Sequence, residues 1–158
     1  MTTIQNETNS AERWSAIGWL VLRLGIGCTF LFSHGLPKLL QGPELWGQLG
    51  QAMGYLGITF APVVWGFLAA FAEALGGLLL IVGLCVRPAA AFMLITMLVA
   101  TRLHMAQGEP FLHPLELAVV FLALIVSGGG PLGISGLLPK KKAAKEGEED
   151  ESEASASE

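Results

Sequence analysis

The sequence predicts an all-α membrane protein, namely a four-helix transmembrane bundle with both termini in the cytoplasm. The 158 residues are 53% hydrophobic, and their mean hydropathy of +0.59 is high for a soluble domain of this length. Apolar segments follow one another along the chain, with lengths that suit a hydrocarbon core about 30 Å thick. Charge is concentrated at the C-terminus, where residues 140–158 hold four Lys and seven acidic residues.

The first apolar segment covers about residues 14–36, and Arg23 is the charged residue that interrupts it. Gly35 and Pro37 are expected to end the helix. On a helix, Arg23, His34 and Lys38 fall within one stripe, because steps of 3 and 4 residues return to the same face. A charged Arg near mid-span costs about 2.5 kcal/mol or more, so this stretch predicts a partner elsewhere in the chain.

Residues 37–60 connect the first two spans. Apolar side chains recur at helical spacing within residues 45–53, and Gln48 and Gln51 lie away from most of that face. This pattern favours a short amphipathic helix at the membrane interface, with Trp46 as its anchor. An irregular Gly-rich loop is the alternative.

Three further spans are predicted. The second covers about residues 61–84 and carries a face of small residues around Glu73, which suits close helix packing in lipid. The third and fourth cover about residues 88–104 and 111–126, close to the lower length limit for a span. A Gly-rich stretch after Ser127 ends the fourth.

These segments divide the chain into three parts. Residues 1–12 are a polar N-terminus that we expect to be disordered, residues 13–136 form the membrane domain, and residues 137–158 form a disordered charged tail. Four spans place both termini on one side. That side then carries six Lys/Arg, against Lys38 and Arg102 on the other, and the positive-inside rule makes it the cytoplasmic side.

This topology assigns depths to two opposite charges. Arg23 lies near the middle of the first predicted span and Glu73 near the middle of the second. Because neighbouring antiparallel helices bring such residues to similar depth, we predict an Arg23–Glu73 ion pair inside the bundle. It could lock two helices together or belong to a functional site.

The same topology gathers polar residues at the outer mouth of the bundle: His34, Lys38, His104, His113 and Glu116. A proton-handling site is the favoured interpretation, because His titrates near neutral pH and carboxylates relay protons. A metal site built from the three His and Glu116 is the less favoured one. Their spacing matches no established ligand pattern, so we predict no metal.

The two cysteines give no sign of redox chemistry. Cys28 and Cys85 are predicted to differ in depth by about 15–20 Å at the rise of a helix. A disulfide needs Cα atoms within about 7 Å, so an intrachain bridge is excluded. This argues against an enzyme that works through its own thiols.

Several motifs together resemble the DoxX family of small bacterial membrane proteins, over about residues 20–136. The motifs are Arg23-Leu-Gly, Phe30-Leu-Phe-Ser-His34-Gly-Leu-Pro-Lys38-Leu, Glu73-Ala-Leu-Gly76-Gly77, Gly83-Leu-Cys-Val-Arg87-Pro-Ala-Ala, Met97-Leu-Val-Ala100 and Gly-Gly-Pro-Leu-Gly-Ile-Ser135. The resemblance implies a four-helix bundle in the bacterial cytoplasmic (inner) membrane. Some members resemble the small subunit of a thiosulfate:quinone oxidoreductase.

The resemblance and the polar residues lead to three hypotheses of function. The first is an integral membrane subunit of a quinone-linked oxidoreductase, whose outer polar cluster binds a quinone head group or an anionic sulfur compound. The second is a non-enzymatic scaffold that tethers or stabilises a membrane or peripheral redox partner. The third is a small-solute or proton transporter, which with four spans would need to form a homo-oligomer. No feature of the sequence suggests nucleic-acid binding.

Overall fold

The computed structural model describes the backbone of residues 2–134 and the side chains of residue 10 and residues 12–134. Six α-helices, a π-helical segment and a 3-10 segment make up this part of the chain, and it contains no strand. In chain order they are α1 (Thr2–Cys28), the π segment (Thr29–Gly35), α2 (Leu36–Gln41), α3 (Pro43–Gly50), the 3-10 segment (Gln51–Leu56), α4 (Pro62–Val82), α5 (Val86–Gln107) and α6 (Leu112–Ser127).

The all-α prediction is therefore confirmed for the described residues. The chain is helical from Thr2, so α1 includes most of the stretch, residues 1–12, that the sequence predicted to be disordered. The predicted tail, residues 137–158, lies outside the described residues.

Three helices are long and apolar enough to cross a membrane, namely Glu12–Gln41, Pro62–Val82 and Val86–Gln107. The shorter apolar helix Leu112–Ser127 coincides with the fourth predicted segment. Large apolar side chains are exposed along these helices, among them Phe92, which is 63% exposed. Such faces need a hydrocarbon environment, so this is a multi-pass membrane protein.

The first span does not end at Pro37. The chain passes this proline through the π segment, where the backbone N–H of Leu36 donates to the carbonyl of Leu31, five residues back. Proline is tolerated in membrane helices when local helical adjustments satisfy the freed backbone groups. Helix α2 then continues to Gln41, and Gly42, with φ of 83°, makes the break before α3.

Helices α1 to α3 run antiparallel to α4 over its whole length. A Cβ added to Gly27 would lie 2.8 Å from the carbonyl oxygen of Gly77, near the C-terminal end of α4. A Cβ on Gly66, near its N-terminal end, would lie 1.8 Å from the carbonyl oxygen of Trp46. The small-residue face predicted for the second span is therefore used for close helix packing.

This packing corrects the predicted position of α3. The short helix that the sequence favoured over a loop is present, but it packs lengthwise on the first half of α4. Trp46 is held within the bundle, because its indole N–H donates to the carbonyl of Lys38 at 2.9 Å and its ring meets Phe67 edge-on, with centroids 5.0 Å apart.

The core lies where the π segment meets α4, α5 and α6. Phe30 of the π segment meets Phe121 of α6 edge-to-face at a centroid distance of 5.1 Å, and both are fully buried. Leu80 and Met93 complete the centre of this cluster.

The bundle has two ends, which we name by a residue or helix found there. The α3 end contains residues 51–61 and 107–111, and the Arg23 end contains residues 83–85 and 128–134.

Candidate functional site

Lys38 and Glu73 form an ion pair inside the bundle. The Nζ of Lys38 lies 2.8 Å from one carboxylate oxygen of Glu73 and 2.6 Å from the other. Glu73 is almost completely buried at 2% exposure, whereas the side chain of Lys38 is 28% exposed. The buried carboxylate thus has a cationic partner, as a charge at membrane depth requires.

The predicted Arg23–Glu73 pair is wrong. Arg23 is buried at 1% exposure, and its guanidinium donates to three backbone carbonyls, those of Leu80 (3.1 Å), Gly129 and Leu132 (3.4 Å). Leu80 lies in the last turn of α4, where its carbonyl also accepts from the N–H of Gly83 at 3.2 Å and where a cation is favoured. Arg23 therefore joins α1 to the end of α4 and to the segment after α6.

The error has a physical cause, which is the true length of the first span. Because the helix continues past Pro37 and then into α3, the residues opposite the middle of α4 lie later in the sequence than Arg23. Glu73 is eleven residues after Pro62 and nine before Val82. The sequence analysis placed Lys38 at the outer mouth of the bundle and Glu73 in its middle. The two residues in fact pair about 14 Å from the C-terminal end of α4 and about 16 Å from its N-terminal end.

His34 belongs to the same region. It is half-buried in the π segment, one turn before Lys38, and its ring centroid lies 5.1 Å from that of Phe30. It is close enough to Glu73, Lys38 and His113 to interact electrostatically with all three. Single π-helical turns occur frequently at functional sites, since they change the direction in which the following side chains point.

The remaining residues of the predicted outer cluster do not join the ion pair. His104 makes its contact with Glu109 in the next loop, with Nδ1 2.9 Å from a carboxylate oxygen. His113 and Glu116 are exposed at the start of α6. Within the described residues, no three His, Cys, Asp or Glu side chains come close enough together to hold a metal ion.

A groove of about 580 Å³ runs between α4 and α5 and reaches α3 and the 3-10 segment. Its lining is apolar except for Lys38, Glu73 and Thr96. Several of the lining side chains, such as Phe71 and Ile95, are exposed on the outer surface of the bundle. The groove therefore opens sideways toward lipid, and the ion pair lies on its wall.

Both cysteines are free and exposed. They lie apart from the groove, because neither Cys28 nor Cys85 lines it.

A sequence model of the DoxX family matches residues 18–106, which is 89 of the 158 residues. The match includes Arg23, the π segment and the Lys38–Glu73 pair. The chain belongs to the DoxX family. No curated protein and no solved structure matches it.

In this DoxX protein, the sequence pointed to Lys38 and Glu73 separately but missed that they pair. The available signal was the stretch Lys38-Leu-Leu-Gln41 before Gly42, which allows the helix to continue for one more turn after Pro37. The groove residues Phe71 and Thr96 were missed altogether. Apolar side chains on neighbouring helices give no sign in the sequence of whether they touch or leave a gap.

Proposed function

We propose that this DoxX protein is the integral membrane subunit of a quinone-linked oxidoreductase system and that the groove between α4 and α5 receives the quinone. The observation that supports this most directly is the Lys38–Glu73 pair on the wall of an apolar, lipid-facing groove. Ligand pockets are commonly 300–1,000 Å³, mostly apolar, with a few placed polar groups. The groove has these properties.

The groove residues fit a quinone by their chemistry. A quinone dissolves in the bilayer, so it can enter through the lateral opening past Phe71 and Ile95. Its carbonyl oxygens accept hydrogen bonds, and the ammonium of Lys38 is a donor on the groove wall. The hydroxyl of Thr96 already donates to the carbonyl of Phe92 at 3.1 Å. A bound quinone supplies the capacity to accept electrons and protons.

Glu73 and His34 have a separate role in this proposal. Glu73 holds Lys38 in position through both carboxylate oxygens beside the groove. His34, within electrostatic range of Glu73 and of the exposed His113, supplies a second titratable group in the direction of the surface. His34 and Lys38 thus keep the functional role expected from the sequence, with Glu73 in place of Glu116.

Electrons must come from a partner, because the chain shows no cofactor motif. We propose a membrane or peripheral redox protein that oxidises thiosulfate or another sulfur compound, as the family resemblance suggests. We further propose four spans in the bacterial cytoplasmic membrane with the termini inside, on the basis of the excess of Lys and Arg on that side.

The proposal is tested by quinone binding to the full-length protein in lipid nanodiscs. A short-chain ubiquinone should bind saturably, and a Lys38→Met, Glu73→Leu double variant, which removes both charges together, should bind at least tenfold more weakly. Glu116→Gln, at an exposed position on α6, is the matched control and should bind as the unmodified protein does. Binding that is absent, or equal in all three proteins, would contradict the proposal.

A second measurement separates the oxidoreductase subunit from the scaffold alternative. Native membranes that contain the protein should reduce quinone when thiosulfate or another sulfur donor is added, and the double variant should lose this activity. If quinone binds but the double variant supports full activity, the protein serves its partner as a scaffold.

A further inference from the structure

A second cavity, of about 330 Å³, lies at the α3 end of the bundle. Three amide side chains and a phenol line it, namely Gln48, Gln51, Gln107 and Tyr55. All four are exposed, so the cavity is open to the surface. We refer to it as the amide vestibule.

The amide vestibule adjoins the lipid-facing groove. Ala52 and Leu103 line both cavities, so the polar space and the apolar space share a wall. Gly76 of α4 packs against Met93 of the antiparallel helix α5, so Glu73, three residues before Gly76, is about level with Thr96. Leu103 lies seven residues further along α5, so the junction is about 10 Å from the ion pair along the bundle axis.

The chemistry of the vestibule favours one class of ligand. Amides and a phenol both donate and accept hydrogen bonds, and none of the described residues that line the cavity is charged. An anion would be better bound by Arg or Lys, and a cation by a carboxylate. The lining thus fits an uncharged group with hydroxyl or carbonyl oxygens.

We propose that the amide vestibule binds the uncharged, hydroxyl-rich head group of a single-chain amphiphile, whose chain lies in the adjoining end of the groove. The polar cavity holds the head, and the apolar groove accepts the chain across Ala52 and Leu103. The head group lies apart from the proposed position of the quinone ring, because it is displaced from Lys38 by about 10 Å along the bundle axis, and only the chain of the amphiphile uses the groove.

The chain offers a specific reporter for this site, because Tyr55 is its single tyrosine. Full-length protein labelled with 3-fluorotyrosine in nanodiscs should give one ¹⁹F resonance. Dodecyl maltoside should shift it saturably, whereas dodecyl sulfate and dodecyltrimethylammonium should not. Maltose without a chain should leave it unchanged at the same concentration.

Variants show where the ligand lies. Gln51→Leu combined with Gln107→Leu should abolish the maltoside-induced shift, whereas Gln41→Leu, at an exposed position outside the vestibule, should keep it. The Lys38→Met, Glu73→Leu variant should also keep it, which separates this site from the quinone proposal. No saturable shift, equal shifts for all head groups, or an unaffected vestibule variant would overturn the proposal.

Discussion

The ammonium of Lys38 contacts both carboxylate oxygens of Glu73, at 2.8 Å and 2.6 Å, near the middle of the second membrane helix. The contact joins two helices that are also close at Gly35, where an added Cβ would lie 2.3 Å from the backbone of Ala74. Small residues therefore allow the two helices to pack closely, and Lys38 and Glu73 neutralise each other's charge between them. The exposed part of the Lys38 side chain lines the groove.

Glu73→Gln should be much more harmful than loss of both charges. It leaves Lys38 without its carboxylate. Breaking a fully buried pair costs about 3–5 kcal/mol, and because Lys38 is 28% exposed the cost here should be near the lower end of that range. The Lys38→Met, Glu73→Leu variant replaces the pair by apolar groups and should unfold within about 1–2 kcal/mol of the unmodified protein. Thermal unfolding in detergent compares the three proteins, and equal losses for the single and double variants would contradict the pairing.

Arg23 should be needed for stability but not for quinone binding. Arg23→Gln removes charged hydrogen bonds to carbonyls that link α1, α4 and the segment after α6. Such bonds contribute about 1.5–3 kcal/mol each, so loss of the two shorter ones, to Leu80 and Gly129, should cost about 3–6 kcal/mol. Arg13→Gln, at an exposed position of α1, is the control for loss of a positive charge.

The same Arg23 variant should bind quinone with unchanged affinity once it is folded, because Arg23 does not line the groove. Titration of the purified variant in nanodiscs measures this. A loss of affinity as large as that of the Lys38/Glu73 double variant would mean that Arg23 belongs to the site.

Gly66 should be intolerant of any side chain. A Cβ there would lie 1.8 Å from the carbonyl oxygen of Trp46, so α3 would have to move away from α4. Overpacking of this kind typically costs about 1–3 kcal/mol. Gly25→Ala is the matched control, because a Cβ at that helical position meets nothing within 4 Å. Similar melting temperatures for Gly66→Ala and Gly25→Ala would show that α3 does not pack as described.

The His104–Glu109 contact should matter little. Glu109 is exposed and His104 is partly exposed, at 54% and 35%, and ion pairs at the surface contribute about 0–1 kcal/mol. Glu109→Gln should therefore leave the melting temperature and quinone affinity nearly unchanged. A large change in the melting temperature or in the quinone affinity would mean that this loop contributes to stability or to the binding site, contrary to the structure.

Much of the architecture could be predicted from the sequence, because apolar length and small-residue faces follow directly from the demands of a bilayer. Three of the predicted spans, the short helix after the first span and the packing face around Glu73 were found in this way. The depth of the polar residues in the membrane was not predicted correctly. That depth depends on whether the first helix ends at Pro37, and the π segment that carries the helix past this proline has no distinct sequence pattern.

The candidate site was predicted in part for the same reason. His34, Lys38 and Glu73 were all selected because charged and titratable residues are costly in lipid. Which of these residues meet depends on how neighbouring helices are aligned along their axes. An alignment that is wrong by a few residues brings different side chains together. His104 and Glu116 were placed with them by depth alone, but the direction of a side chain around its helix decides which partner it meets.

The central claim is that quinone occupies the groove beside Lys38 and Glu73, and photolabelling tests it most directly. A short-chain quinone with a photoreactive group on its ring would be activated in nanodiscs with the full-length protein, and the labelled peptides mapped by mass spectrometry. The label should lie within residues 68–76 of α4 and 92–100 of α5, and excess unlabelled quinone should prevent it. Labelling confined to α6, or spread evenly over the lipid-facing surface and insensitive to unlabelled quinone, would contradict the claim.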